Sequence, residues 1–140
     1  MRRSGIFQPC NGSRAMRVLI VDDDAMTAEL TAECLTMDSS VSVRTVGDGA
    51  SAMRVVSEFT PDVILLDVEL PDISGLELAP QLKVACRECT PRVIIFSGSV
   101  PEAEPNFLPA GVDAWLTKPA HLDQLLDCIF RPMGARSRPW

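Results

Sequence analysis

Four short apolar runs stand out along the chain: Val18-Leu19-Ile20-Val21, Val63-Ile64-Leu65-Leu66, Val93-Ile94-Ile95-Phe96 and the weaker Trp115-Leu116. Continuous runs of this length fit strands buried on both faces of a parallel sheet. A fifth segment, Val41 to Val46, alternates apolar and polar residues and fits a strand nearer an edge. Helical periodicity occupies the intervals. Met26, Leu30, Cys34 and Met37 line one face of the segment after the first strand, which predicts an amphipathic helix. Leu122, Leu125, Leu126, Ile129 and Phe130 form an i, i+3, i+4, i+7, i+8 stripe after the last strand. Strand and helix thus alternate five times along the chain.

That alternation predicts right-handed βαβ crossovers and an α/β fold: a doubly wound five-stranded parallel sheet with helices on both faces. The flavodoxin-like strand order 2-1-3-4-5 is the expected one, and it directs attention to the carboxyl ends of the strands, where open α/β sheets bind ligands. One interval breaks the pattern. SVPEAEPNFLPAG carries Pro101, Pro105 and Pro109, and each proline inside a helix costs about 3 kcal/mol, so the fourth helix should be irregular: short, broken or displaced. Pro132 is expected to stop the last helix. The boundaries that follow are an N-terminal tail over 1–15, one domain over 16–131 and a C-terminal tail over 132–140.

Length and composition agree with this outline. A chain of 140 residues, 46% hydrophobic and 23% charged, has room for one globular core and none for a second output or catalytic domain. No run approaches the 18 or so apolar residues of a membrane span, and MRRSGIFQPCNGSRA lacks the apolar stretch of a signal peptide. A soluble, cytoplasmic protein with no membrane contact is expected.

Charge sharpens the picture of its partners. The stretch from Asp22 to Asp127 holds all 19 acids and only six of the 13 bases, while the basic residues outside it crowd the two ends. Such a body repels polyphosphate backbones and attracts cations or basic protein surfaces, so no nucleic-acid binding is expected of the core. Five cysteines, an odd number, in a chain without a secretion signal read as reduced thiols. Cys86 and Cys89 form a CxxC, but no second CxxC or histidine pair completes a zinc site.

The chemistry lies at the strand ends. Asp22, Asp23 and Asp24 follow the first strand, Asp67 closes the third, Ser97 the fourth, and Lys118 follows the fifth. Carboxylates brought together repel unless they are protonated or hold a cation, and oxygen-only ligands favour a hard ion such as Mg2+. A metal, an ammonium and a hydroxyl facing one another are the parts needed to hold a phosphoryl group.

The segments VLIVDDD, ILLDVELPDISG, IIFSGS and DAWLTKP, in this order, resemble the receiver domain of two-component response regulators. The resemblance runs from about Arg17 to Phe130, with 44, 30 and 21 residues separating Asp23, Asp67, Ser97 and Lys118. It implies that Asp67 is the phosphoacceptor, attacking a phosphohistidine of a sensor histidine kinase or histidine phosphotransfer protein. It further implies Mg2+ held by Asp22, Asp23, Asp67 and the backbone carbonyl of Glu69, with Lys118 pairing to the phosphoryl oxygens. Ser97 would donate to the bound phosphoryl group, Trp115 would occupy the aromatic switch position, and Lys118-Pro119 would match the family's cis peptide. The implied protein is a stand-alone response regulator, monomeric or weakly dimeric, that acts on a downstream protein target the sequence does not name. The tail over 1–15 is expected to be dispensable for phosphorylation and folding.

Each residue also has an ordinary role open to it: an exposed turn for Asp22 to Asp24, a helix cap for Asp67, a turn for Ser97, a surface charge for Lys118. His121 has no partner in view and is expected to cap the last helix or face solvent, and the methionines look like packing. Three departures from the common receiver pattern bear on mechanism: tryptophan at the switch position, the proline-rich fourth segment, and Glu69 two residues past the acceptor. Competing readings are a pseudo-receiver scaffold that binds partners without phosphorylation, a Mg2+ phosphohydrolase of the haloacid dehalogenase type using Asp22 and Asp24, and a flavodoxin. The phosphohydrolase expects threonine two residues after its second aspartate, whereas Thr27 stands three after Asp24. The flavodoxin expects a hydroxyl-rich loop where the acids stand.

Overall fold

The computed structural model describes residues 15–86, 90–98, 108–118 and 122–130. Its elements are β1 (Met16–Val21), α1 (Ala25–Thr36), β2 (Val41–Val46), α2 (Gly49–Phe59), β3 (Val63–Leu66), α3 (Gly75–Ala85), β4 (Arg92–Ser97), β5 (Ala114–Thr117) and α4 (Leu122–Phe130), which follow the predicted alternation except between β4 and β5, where residues 99–107 lie outside the described ones. All strand pairs are parallel and the order is β2-β1-β3-β4-β5, the doubly wound arrangement expected from the pattern. β3 and β4 are buried along their whole length, as their unbroken apolar runs require, whereas β2 alternates and lies at one edge.

Two apolar layers sandwich the sheet. Val18, Ile20, Val63, Leu65, Ile94 and Phe96 pack with α1 and α4 on one face; Leu19, Val21, Ile64, Leu66, Val93 and Ile95 pack with α2 and α3 on the other. Alternate residues of each strand thus serve opposite layers, the period-two geometry of a strand. The stripe of α4 behaves as expected at Leu125 and Ile129, which are buried, while Phe130 is 38% exposed.

The face of α1 is a correction. Met26, Leu30 and Met37 are 71%, 57% and 79% exposed, Cys34 is also exposed, and the helix meets the sheet through Ala28, Thr31 and Leu35. The reason is phase: Asp24 caps the helix from its first turn, and the small residues two positions on from Met26 and Leu30 let the helix lie close to the sheet. An apolar stripe at helical spacing therefore faces solvent. The methionines in it are not packing residues.

Several sequence expectations fall outside the described residues: the prolines 101 and 105 of the fourth segment, Cys89 of the CxxC, Pro119 of the expected cis peptide, His121, and Pro132.

Candidate functional site

The sheet itself carries the site residues to one rim. Asp22, Asp67 and Lys118 each stand one residue beyond a strand, and each donates its backbone N–H to the neighbouring strand: Asp22 to Val46 at 3.0 Å, Asp67 to Val21 at 2.9 Å and Lys118 to Ser97 at 2.8 Å. The ladders therefore run one step past β1, β3 and β5 and hold these three backbones in register. Their side chains converge above the carboxyl ends of the strands.

Carboxylate oxygens of Asp22, Asp23 and Asp67 lie within 4.8 Å of one another. Asp22 is 5% exposed, Asp67 retains 13% of its side-chain surface, and Asp23 is exposed, so the cluster opens to solvent on one side. Lys118 closes another side. Its Nζ donates to Asp22 Oδ2 at 2.6 Å, stands 3.5 Å from Asp67 Oδ2, and lies 5.4 Å from the centroid of the Phe96 ring. Burial works to lower the Lys118 pKa, but the hydrogen bond and charge of Asp22 and the charge of Asp67 outweigh it, and the ammonium is held above its ordinary 10.5.

The third aspartate does something else. Asp24 caps α1, accepting the N–H groups of Met26 and Thr27, and Thr27 Oγ1 donates to it at 2.8 Å. The Thr27 hydroxyl, foremost among the causes, holds the Asp24 carboxyl below its usual range. The run of three acids thus divides into two that face the cluster and one that starts a helix. Asp67, in contrast, is not the cap of the helix that follows it, because Ser74 caps α3 through the Leu76 N–H.

Ser97 ends β4, 2% exposed, beside Thr117 and immediately before the rim. Trp115 pairs with Ile95 in the sheet and is half-buried against the layer under α2 and α3, so its ring lies on the opposite face from Leu116. Glu69 is exposed; its N–H reaches back toward Asp67 Oδ1 at 3.4 Å. Of the strand-end residues expected to meet, Asp22, Asp23, Asp67 and Lys118 converge, Asp24 turns away to cap α1, and Ser97 is buried at the end of β4. Sequence reasoning missed how tightly the loop after Asp67 is closed. Gly75 donates to the Val68 carbonyl at 2.7 Å, Glu69 pairs with Ser74, and a Cβ on Gly75 would stand 2.0 Å from the Asp67 carbonyl oxygen. The signal for it in the sequence is the Ser74-Gly75 pair closing LPDISG.

Three carboxylates with no nitrogen or sulfur ligand beside them among the described residues are the donor set of a hard divalent cation, and the opposed ammonium fits an anion brought alongside it. The donor chemistry therefore fits Mg2+.

Comparison with known proteins gives a consistent result. The family model for the response regulator receiver domain matches residues 18–130. The chain is 36% identical over 124 residues to the response regulator MprA of Mycobacterium leprae, covering 89% of this chain and 53% of that protein. It is 33% identical over 111 residues to the cell cycle transcriptional regulator CtrA of Caulobacter vibrioides, covering 79% of this chain and 47% of that one. The chain thus spans about half the length of these curated relatives. Among solved structures, a CheY-like response regulator receiver domain from Methylobacillus flagellatus superposes with a TM-score of 0.69 at 30% identity, covering 82% of this chain and 98% of that one. A second CheY-like receiver domain, from Methanospirillum hungatei, gives a TM-score of 0.70 at 25% identity, covering 82% and 90%. No described helix is long and apolar enough to cross a membrane.

Proposed function

The chain belongs to the response regulator receiver domain family, and from that premise we propose that it is a cytoplasmic phosphoacceptor of a two-component or phosphorelay system, with Asp67 as the acceptor. The observation that carries this reading is the meeting of Asp22, Asp23 and Asp67 around one point with Lys118 beside two of them. In the proposed step, an Asp67 oxygen attacks the phosphorus of a phosphohistidine, an O–P bond forms as the N–P bond breaks, and the imidazole leaves and takes up a proton. The product is an acyl phosphate.

The residues divide the work. Asp22, Asp23, Asp67 and the backbone carbonyl of Glu69 would hold Mg2+, which supplies, when bound, neutralisation of charge on the phosphoryl oxygens. Lys118 adds a fixed positive charge on the side of Asp67. Ser97 would donate its hydroxyl to the new phosphoryl group, and movement at the end of β4 would be felt by Trp115 on the neighbouring strand. The exposed stripe of α1 starts at Met26, three residues after the acid pair ends, so a docking protein that presents its histidine to Asp67 would meet Met26 and Leu30. Output is then a change in protein–protein contact, with no catalysis on an outside substrate beyond the chain's own phosphorylation and dephosphorylation, and without direct nucleic-acid contact by this acidic domain.

The test is intact-protein mass after incubation with acetyl phosphate and Mg2+. One labile phosphoryl group is expected on the wild type, and none on Asp67→Asn or after chelation. Labelling of Asp67→Asn would overturn the assignment, and labelling at Asp22 would favour the phosphohydrolase reading.

A further inference from the structure

The loop from Asp67 to Gly75 is closed at its base by the Gly75–Val68 hydrogen bond and the Glu69–Ser74 bridge. At its far end it is tied to something else. The Asp72 side chain accepts the first two N–H groups of α2, Oδ1 from Gly49 at 2.9 Å and Oδ2 from Ala50 at 3.0 Å. α2 already has a local cap, since Asp48 Oδ1 accepts the Ser51 N–H at 2.7 Å. Two carboxylates from separate segments therefore share the three N–H groups that a helix start leaves without intrahelical partners here.

A second contact marks the same junction. A Cβ on Gly49 would stand 2.4 Å from Ile73 Cγ2 and 3.3 Å from Asp72 Oδ1, so the loop rests directly on this glycine. Space, not a left-handed backbone, explains glycine at this position. The anchor is in turn joined to the acids just after β1, because Val46, at the end of the strand that leads into α2, accepts the Asp22 N–H. A chain of contacts therefore runs from Asp67 and Glu69 through Asp72 to the start of α2 and back to Asp22.

We propose that Asp72 is a positioning residue for phosphoryl transfer: it pins the loop bearing Asp67 and Glu69 to the start of α2 and thereby fixes that half of the site against the half bearing Asp22 and Asp23. The inference rests on the proposed role of Asp67. The N–H of Gly49, first among several causes, keeps the Asp72 carboxyl below its usual range, consistent with a carboxylate held in this contact.

The experiment compares Asp72→Ala, which cuts the tie, with Gly49→Ala, which keeps every charge but pushes on Ile73. Phosphorylation by acetyl phosphate is followed by intact mass across a Mg2+ series, with wild type and Asp67→Asn alongside and far-UV circular dichroism as the check on folding. Each variant is expected to need roughly tenfold more Mg2+ for half-maximal labelling, the low end for groups that orient metal ligands. Labelling at saturating Mg2+ should recover, and Asp72→Asn, which keeps one acceptor oxygen, should fall between. A merely stabilising contact would lower the melting temperature and leave the Mg2+ midpoint in place. Wild-type midpoints in folded Asp72→Ala would overturn the inference while leaving Asp67 as acceptor. Absence of label on the wild type would overturn both. Should Gly49→Ala fail to fold, the comparison of Asp72→Ala with Asp72→Asn decides.

Discussion

Lys118 is bonded more closely to Asp22, at 2.6 Å, than to Asp67, at 3.5 Å. The ammonium is thus engaged with a side chain of the proposed metal site, and its longer distance to Asp67, the proposed acceptor, leaves room for it to move closer as charge on that side grows. Asp22 also accepts the Asp24 N–H at 2.9 Å, so its carboxylate is held from two directions.

Removing this ammonium separates metal binding from signalling. Lys118→Ala leaves three carboxylates facing one another, which favours a divalent cation, so Mg2+ affinity measured by calorimetry should be equal to or above wild type. The response should be lost. In a Trp140→Phe background, wild-type Trp115 emission is expected to change on phosphorylation and that of Lys118→Ala to stay as it was.

Gly75→Ala tests the closure of the loop after Asp67. A methyl group 2.0 Å from the Asp67 carbonyl oxygen cannot be accommodated without moving α3 or the loop. Urea denaturation should show a loss of about 2–3 kcal/mol, in the range of overpacked cores.

The outward face of α1 yields a paired prediction. Leu30→Glu, at a position 57% exposed, should change stability by less than about 0.5 kcal/mol, whereas Leu35→Ala, fully buried, should cost about 2–4 kcal/mol. Transfer from a phosphohistidine donor should slow in Leu30→Glu while labelling by acetyl phosphate keeps its wild-type rate. Equal effects on both phosphoryl sources would exclude α1 from donor docking.

The turn between α1 and β2 predicts an acid-sensitive contribution. Asp38 accepts the Ser40 hydroxyl at 2.6 Å and the Ser40 N–H at 2.9 Å, and the hydroxyl, the larger cause, holds its pKa below 3.8. A depressed carboxyl stabilises the fold above its unfolded pKa, and that contribution is lost as pH falls through the lower folded value. Urea midpoints of wild type and Asp38→Asn should therefore differ by a constant amount above about pH 5 and converge below 3.8.

What was legible in the sequence follows from which physics each element obeys. β1, β3 and β4 are buried on both faces, so burial alone dictates their composition, and their apolar runs mark both place and order in the chain. Asp22, Asp67 and Lys118 were legible because strand ends in a parallel sheet share one rim. α1 was misread because periodicity reports a stripe without saying which way it points: Ala28 and Thr31 are too small and too polar to compete with Met26 and Leu30 on a hydrophobicity count, yet they are the residues that fit against the sheet. Asp72 was invisible for another reason. Its partners, Gly49 and Ala50, are backbone groups 22 and more residues away, and main-chain donors leave no signature in side-chain identity.

The ladder steps beyond β1, β3 and β5 also bear on how this domain tolerates change. Asp22, Asp67 and Lys118 hang from peptide groups whose partners are the peptide oxygens of Val46, Val21 and Ser97. Nineteen of the twenty amino acids offer the same donor, and all twenty offer the same acceptor. The geometry of the cluster is therefore decoupled from surface identity: drift in exposed positions such as Ser42, Arg44 or Leu30 can change what the surface meets while the proposed site keeps its shape.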